Sequence, residues 1–238
     1  MPELEIKGVS HVYRGGTPAL NALDLSLDEG VVGLVGANGA GKSTLMRMIA
    51  GALPPTTGTV RIDGRDLYAS RDRRKVLGQV AWMPQTPTAP GRVSVVDFVA
   101  YLTWLRGFSR KEARQRADRA IQQVNLTQAA QAPMNSLSGG MVRRAWLAQA
   151  LACEPTILLL DEPSTGLDPR QRATMVELLK KTPAKLVILS SHLLEDVVEL
   201  TDRVIVLDRG LIVHDGLPPD SGNPSWLLDL IPDTDDRP

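Results

Sequence analysis

Residues Gly36-Ala37-Asn38-Gly39-Ala40-Gly41-Lys42-Ser43 fit the pattern G-x-x-x-x-G-K-[ST]. An apolar run, Val31 to Val35, precedes them, and a helix-forming run, Thr44 to Ala50, follows. That is the strand, turn and helix context the pattern requires. Within it, the glycines let backbone N–H groups turn inward around phosphate oxygens, and the helix opening at Thr44 presents its positive N-terminal end. Lys42 reaches the outer phosphates, and the Ser43 hydroxyl is placed to ligate Mg²⁺. Every part of a triphosphate is addressed, so a bare Gly-rich turn is the weaker reading.

Working outward, two more runs are almost wholly apolar, Ile157 to Leu160 and Leu186 to Leu189. Together with Val31 to Val35 they read as parallel strands covered by helices on both faces, hence an α/β core. Leu4 to Tyr13, Leu23 to Leu27 and Thr59 to Asp63 instead alternate with period two, which predicts an antiparallel sheet near the N-terminus with one wet face. Between these regions lies a stretch of helix formers, Ser94 to Ala152. Ser109 with Glu112 forms a capping-box pattern there, opening a charged helix towards Val124. We expect one domain over 1–217, carrying a helical insertion over roughly 90–152. A Pro- and Asp-rich tail, 218–238, follows, with 225–231 apolar enough to dock.

The second chemical feature is Asp161-Glu162, which ends an apolar strand at the carboxyl edge where ligands sit in parallel sheets. Asp161 is placed to hold Mg²⁺ through its water shell, and Glu162 to polarise an attacking water. An isolated Asp-Glu pair would read as two solvated acids. Beside a phosphate-binding loop that reading recedes.

Composition limits the partners. The 238 residues are 43% apolar, with 27 basic and 27 acidic side chains in balance, so no net field draws the chain to nucleic acid. The single cysteine, Cys153, leaves no disulfide framework and no Cys-based metal site. Met1 to Val12 lacks the apolar core of a secretion signal, which points to the cytosol. No apolar stretch approaches the ~20 residues that a membrane helix needs.

The third feature is Leu137-Ser138-Gly139-Gly140-Met141, ahead of a run in which Ala145, Ala148 and Ala152 recur at helical spacing. With it, nearly the whole chain resembles the ATP-binding subunit of ABC transporters, because several separate motifs fall in one order. The resemblance implies a P-loop NTPase core, ATP and Mg²⁺ as cofactors, and ATP hydrolysis. It makes Tyr13 the aromatic that stacks on adenine, and Gln85 the glutamine that senses Mg²⁺ and the membrane partner. It makes Ser138, Gly139 and Gly140 the signature facing the γ-phosphate of an opposite subunit. Ser164 to Asp168 become the loop that crosses between subunits, and His192 the switch histidine. The chain departs from the pattern at Met141, where many relatives carry glutamine.

The resemblance further implies a head-to-tail homodimer or heterodimer around two ATP molecules, driving separate transmembrane permease subunits from the cytoplasmic face. Leu137 to Arg144 with Ser190 to Val197 looks more like the small-chain exporters. Two rival readings are a soluble ABC-type ATPase acting on ribosomes or DNA, and a small-molecule kinase. The first expects a fused second unit or a long coiled coil, and neither is present. The second leaves Leu137 to Met141 without a purpose.

Overall fold

The computed structural model describes residues 4–69, 71, 73–192 and 194–218. The expected docking segment 225–231, with the rest of the tail from 219, lies outside the described residues. The chain opens with strand β1 (Leu4–Val12), which buries Leu4, Ile6, Val9 and His11, and turns back antiparallel as β2 (Pro18–Leu27). It then crosses to β3 (Gly30–Val35) and passes through the loop 36–41 into helix α1 (Lys42–Ile49). It returns as β4 (Thr57–Ile62) and the short β5 (Arg65–Asp66), completing an antiparallel sheet of order β2-β1-β4-β5. The antiparallel sheet expected near the N-terminus is therefore present.

Strand β2 begins well before the alternation at Leu23. Val9 pairs with Leu23 and His11 with Leu20, so β2 carries one residue more than β1 across that step, and Ala22 sits at φ 44°. Such a bulge breaks the period-two pattern, which hides the first half of the strand.

Helix α2 (Arg73–Gly78) leads to β6 (Val80–Met83). The helical stretch follows as α3 (Val95–Leu105), α4 (Arg110–Gln123) and α5 (Gly139–Leu151), with two short 3₁₀ turns between α4 and α5. The capping box forms as expected: Ser109 Oγ accepts the Glu112 N–H, and Glu112 Oε2 accepts the Ser109 N–H. Helix α4 then buries Ala113, Ala117, Ala120 and Ile121 along one stripe.

The chain closes with β7 (Ile157–Asp161), α6 (Pro169–Lys180), β8 (Leu186–Ser190), α7 (Leu194–Leu200), β9 (Arg203–Asp208) and β10 (Leu211–Gly216). The larger sheet runs β10-β9-β3-β8-β7-β6 and is parallel except at its β10 edge. Successive residues of a strand point to opposite faces. Leu158 and Leu160 of β7 thus join a core with the helical stretch and α6, whereas Ile157 and Leu159 join one with α1 and the antiparallel sheet. Every residue of β7 and β8 is buried, as a doubly covered parallel strand requires. The carboxyl ends of β3, β6, β7 and β8 meet at one edge, and Gly36 to Ser43, Gln85, Asp161 with Glu162, and His192 stand at or just beyond them, whereas Tyr13 follows β1 and Ser138 to Gly140 open α5.

Candidate active site

The loop between β3 and α1 is glycine-bound for two separate reasons. Gly36 has φ 152° and Gly41 has φ 110°. A Cβ at Gly36 would lie 2.2 Å from the Leu207 carbonyl oxygen, and one at Gly41 would lie 2.6 Å from that of Ala19. The loop is thus wedged between the end of β9 and the start of β2. Helix α1 opens at Gly41 with no side-chain cap, so its first N–H groups are left for a ligand.

Lys42 is almost fully buried, and its ammonium donates to the carbonyls of Gly36 at 2.6 Å and Ala37 at 3.0 Å. Burial lowers its pKa, and the negative charges of Glu162 and Asp161 oppose that shift. Ser43 Oγ lies 3.4 Å from Asp161 Oδ1, a long contact. The same carboxylate oxygen accepts a 2.7 Å bond from the hydroxyl of Ser190 at the end of β8.

Glu162 follows at once and leaves the strand direction, with φ 50°. Its N–H donates to Ser190 Oγ at 3.0 Å, and its carboxylate accepts from Thr165 Oγ1 at 2.8 Å. His192 Nδ1 lies 3.3 Å from the same carboxylate oxygen, on a ring that is half exposed. The side chain of Arg143, from α5, donates to the Glu162 carbonyl at 3.0 Å.

An open cleft of about 340 Å³ brings most of these residues together. Tyr13 lines it, its hydroxyl 3.0 Å from Thr44 Oγ1 and its ring meeting His11 edge-on at 4.8 Å. Asn38, Gly39, Gly41 to Thr44, Gln85 and Glu162 line it as well. Gly36 and Ala37 contribute the carbonyls that hold Lys42, and Asp161 stands behind Ser43. Ala40 is buried within the loop.

Ser138, Gly139 and Gly140 do not line this cleft. Ser138 is the N-cap of α5, its Oγ accepting the Met141 N–H at 3.3 Å, while Gly140 faces Gln171 where a Cβ would lie 2.6 Å from Oε1. Residue-by-residue reading of the sequence passed over Ser190, Arg143 and the contact of Thr165 with Glu162. It also missed Thr17, Pro18 and Ala19, which wall the cleft beside Tyr13. Ser190 is the one with a signal: a serine closing an apolar strand at the same edge as Asp161.

Residues 20–165 match the family model described as ABC transporter. The methionine import ATP-binding protein MetN of Rhizobium etli is 36% identical over 208 residues, which is 85% of this chain and 58% of that protein. The daunorubicin/doxorubicin resistance ATP-binding protein DrrA of Streptomyces peucetius is also 36% identical, over 220 residues, 90% of this chain and 64% of that protein. The chain therefore spans about 58 to 64% of the length of these two relatives. Among solved structures, cbiO1 from Clostridium perfringens, part of the ABC transporter complex cbiONQ, superposes with a TM-score of 0.79 at 27% identity, covering 95% of this chain and 90% of that one. The ATP-binding cassette MJ0796, as a post-hydrolysis dimer bound to ADP and Pi, gives a TM-score of 0.81 at 26% identity, covering 91% and 99%.

Proposed function

The chain belongs to the ABC transporter family, and from that premise we propose that it is the ATP-hydrolysing subunit of such a transporter. The observation that carries the reading is the convergence of Lys42, Ser43, Asp161 and Glu162 at one sheet edge, bordering a cleft whose lining includes the Tyr13 ring. ATP would lay its adenine against Tyr13 and its phosphates over Gly36 to Thr44. Lys42 would exchange the carbonyls of Gly36 and Ala37 for phosphate oxygens, which offer it a full negative charge in place of two dipoles.

The residues fit Mg²⁺. Ser43 Oγ and Asp161 Oδ1 are hard oxygen donors 3.4 Å apart, the donor chemistry that Mg²⁺ takes, and Ser43 would hold the ion directly while Asp161 would hold it through its water shell. Gln85 stands at the same cleft as a third oxygen donor. When bound, the ion supplies charge neutralisation for the outer phosphates. Glu162 accepts the proton of the attacking water, and His192, beside it, addresses the γ-phosphate.

Ser138, Gly139 and Gly140 stand outside this cleft on the N-terminus of α5, where a second subunit could present its own nucleotide. The dimeric state of MJ0796 supports that arrangement. We read residues 1–217 as one ATPase domain with its helical insertion at 90–152. No described helix is long and apolar enough to cross a membrane, and cbiO1 is part of a larger transporter complex. The proposed partners are accordingly a second ATPase subunit and separate permease chains, with this chain peripheral on the cytoplasmic face. Relatives named for import and for drug resistance are equally similar at 36%, so the likeness to small-chain exporters carries no direction.

Glu162→Gln tests the reading. Phosphate release is expected to fall by ~10²-fold or more while ATP still binds and the ATP-bound dimer accumulates on size exclusion. Turnover at the level of the unaltered chain would overturn the assignment.

A further inference from the structure

Glu162 sits at φ 50°, in the left-handed region that a residue with a side chain adopts only when its surroundings hold it there. Five hydrogen bonds hold this one. Its N–H donates to Ser190 Oγ at 3.0 Å and to the Ser190 carbonyl at 3.2 Å, its carboxylate accepts from Thr165 Oγ1, and its carbonyl accepts from both the Thr165 N–H at 3.3 Å and Arg143 Nη1 at 3.0 Å. The first four come from the sheet edge and the turn that follows it. Arg143 alone comes from the helical stretch, and it alone is charged.

That choice of residue is costly for a structural prop. The guanidinium is half-buried, and burial lowers its pKa against the opposing pull of the Glu162 charge. The carbonyl it serves already has the Thr165 N–H as a partner. A neutral side chain would leave no unpaired acceptor there, so satisfaction of the carbonyl does not explain the arginine. Its position does offer an explanation. Arg143 stands about 7.5 Å along α5 from Ser138, the N-cap with which the signature begins, so any tilt of that helix moves the guanidinium against Glu162.

We propose that Arg143 is a positioning residue for Glu162: its charge-assisted bond fixes the backbone turn that aims the carboxylate, and makes that aim follow the seat of the helix carrying Ser138, Gly139 and Gly140. The proposal rests on Glu162 being the carboxylate that activates water. It adds that the helix addressing one nucleotide braces the carboxylate acting on another.

Steady-state ATP turnover of the full chain, with ATP affinity measured separately, tests it. Arg143→Ala should lower kcat by about 10-fold or more, leaving KM and ATP affinity within about 2-fold, and Arg143→Lys should recover a large part of the loss. In the Glu162→Gln background the same Arg143→Ala change should alter the residual turnover by less than about 2-fold, because the group it positions is gone. Should Arg143→Ala not fold, Arg143→Gln, which keeps an N–H donor but no charge, is held to the same criteria.

Undiminished kcat in the Arg143 variants, an equal loss in the Glu162→Gln background, or a loss confined to KM would each overturn the proposal. An inactive Glu162→Gln beside a fully active Arg143→Ala sinks this inference and leaves the assignment of Glu162 standing. A fully active Glu162→Gln sinks both.

Discussion

Ser190 uses one oxygen to hold both acidic residues at the end of the neighbouring strand: its hydroxyl donates to Asp161 Oδ1 at 2.7 Å and accepts the Glu162 N–H at 3.0 Å. The serine is wholly buried, so no water stands ready to replace it. Among the described residues, removing it leaves that carboxylate oxygen with the long Ser43 contact and the N–H with the 3.2 Å bond to the residue-190 carbonyl. Ser190→Ala is expected to lower stability by about 1–3 kcal/mol, read by urea denaturation. Turnover should fall further than ATP affinity measured without Mg²⁺, because the loosened group is the proposed cation ligand. An unshifted midpoint with full turnover would contradict this account.

Lys42 makes ATP binding sensitive to alkaline pH. Burial holds its pKa below the ordinary 10.5, more strongly than Glu162 and Asp161 raise it. Between the lowered value and 10.5 the unfolded chain keeps a proton that the folded chain has released, so stability rises with pH through that window. A bound triphosphate places negative charge on the ammonium and pulls the pKa back up. Binding then takes up a proton in the same window, and affinity falls as pH increases. Calorimetry in two alkaline buffers of different ionisation heat should detect that uptake, and Lys42→Met should abolish it. Equal heats in both buffers for the unaltered chain would exclude it.

Much of this site can be read in the sequence because its parts are local. The loop 36–43 is contiguous, and its neighbours Val31 to Val35 and Thr44 to Ala50 announce strand and helix by composition alone. Asp161 and Glu162 are visible for the same reason, at the end of four apolar residues. What stayed hidden depends on neighbours across the sheet or across the core. Ser190 gains its role only because β8 lies in register beside β7, pairing Ser190 with Asp161. Arg143 looks like any basic residue of a helix until α5 packs over the turn at Glu162. Strand β10 is silent for another reason: Leu211 and Val213 point outward while His214 is partly covered, which inverts the pattern that periodicity looks for.

The last such pair joins the two helices that follow the active-site loops. Asp196 of α7 is 1% exposed, and Arg172 of α6 bonds it at 2.7 Å through Nε while reaching the exposed Glu195 at 2.6 Å through Nη1. Both acceptors, Glu195 first, raise the pKa of Arg172, which therefore stays charged. Helix α6 opens at the N-cap Asp168, which ends the loop begun at Ser164, and α7 begins just beyond His192. The ion pair thus sets where these two loops stand relative to each other. Arg172→Met strands a buried carboxylate, and although such a break costs ~3–5 kcal/mol when both partners are buried, the quarter exposure of Arg172 reduces the expectation to about 2–3 kcal/mol. Asp196→Leu removes the buried charge itself, so Arg172→Met combined with Asp196→Leu should be more stable than Arg172→Met alone. Denaturant midpoints of the four proteins decide the matter: losses that simply add would mean that the two side chains do not depend on each other, and that α6 and α7 are held together by their apolar contacts instead.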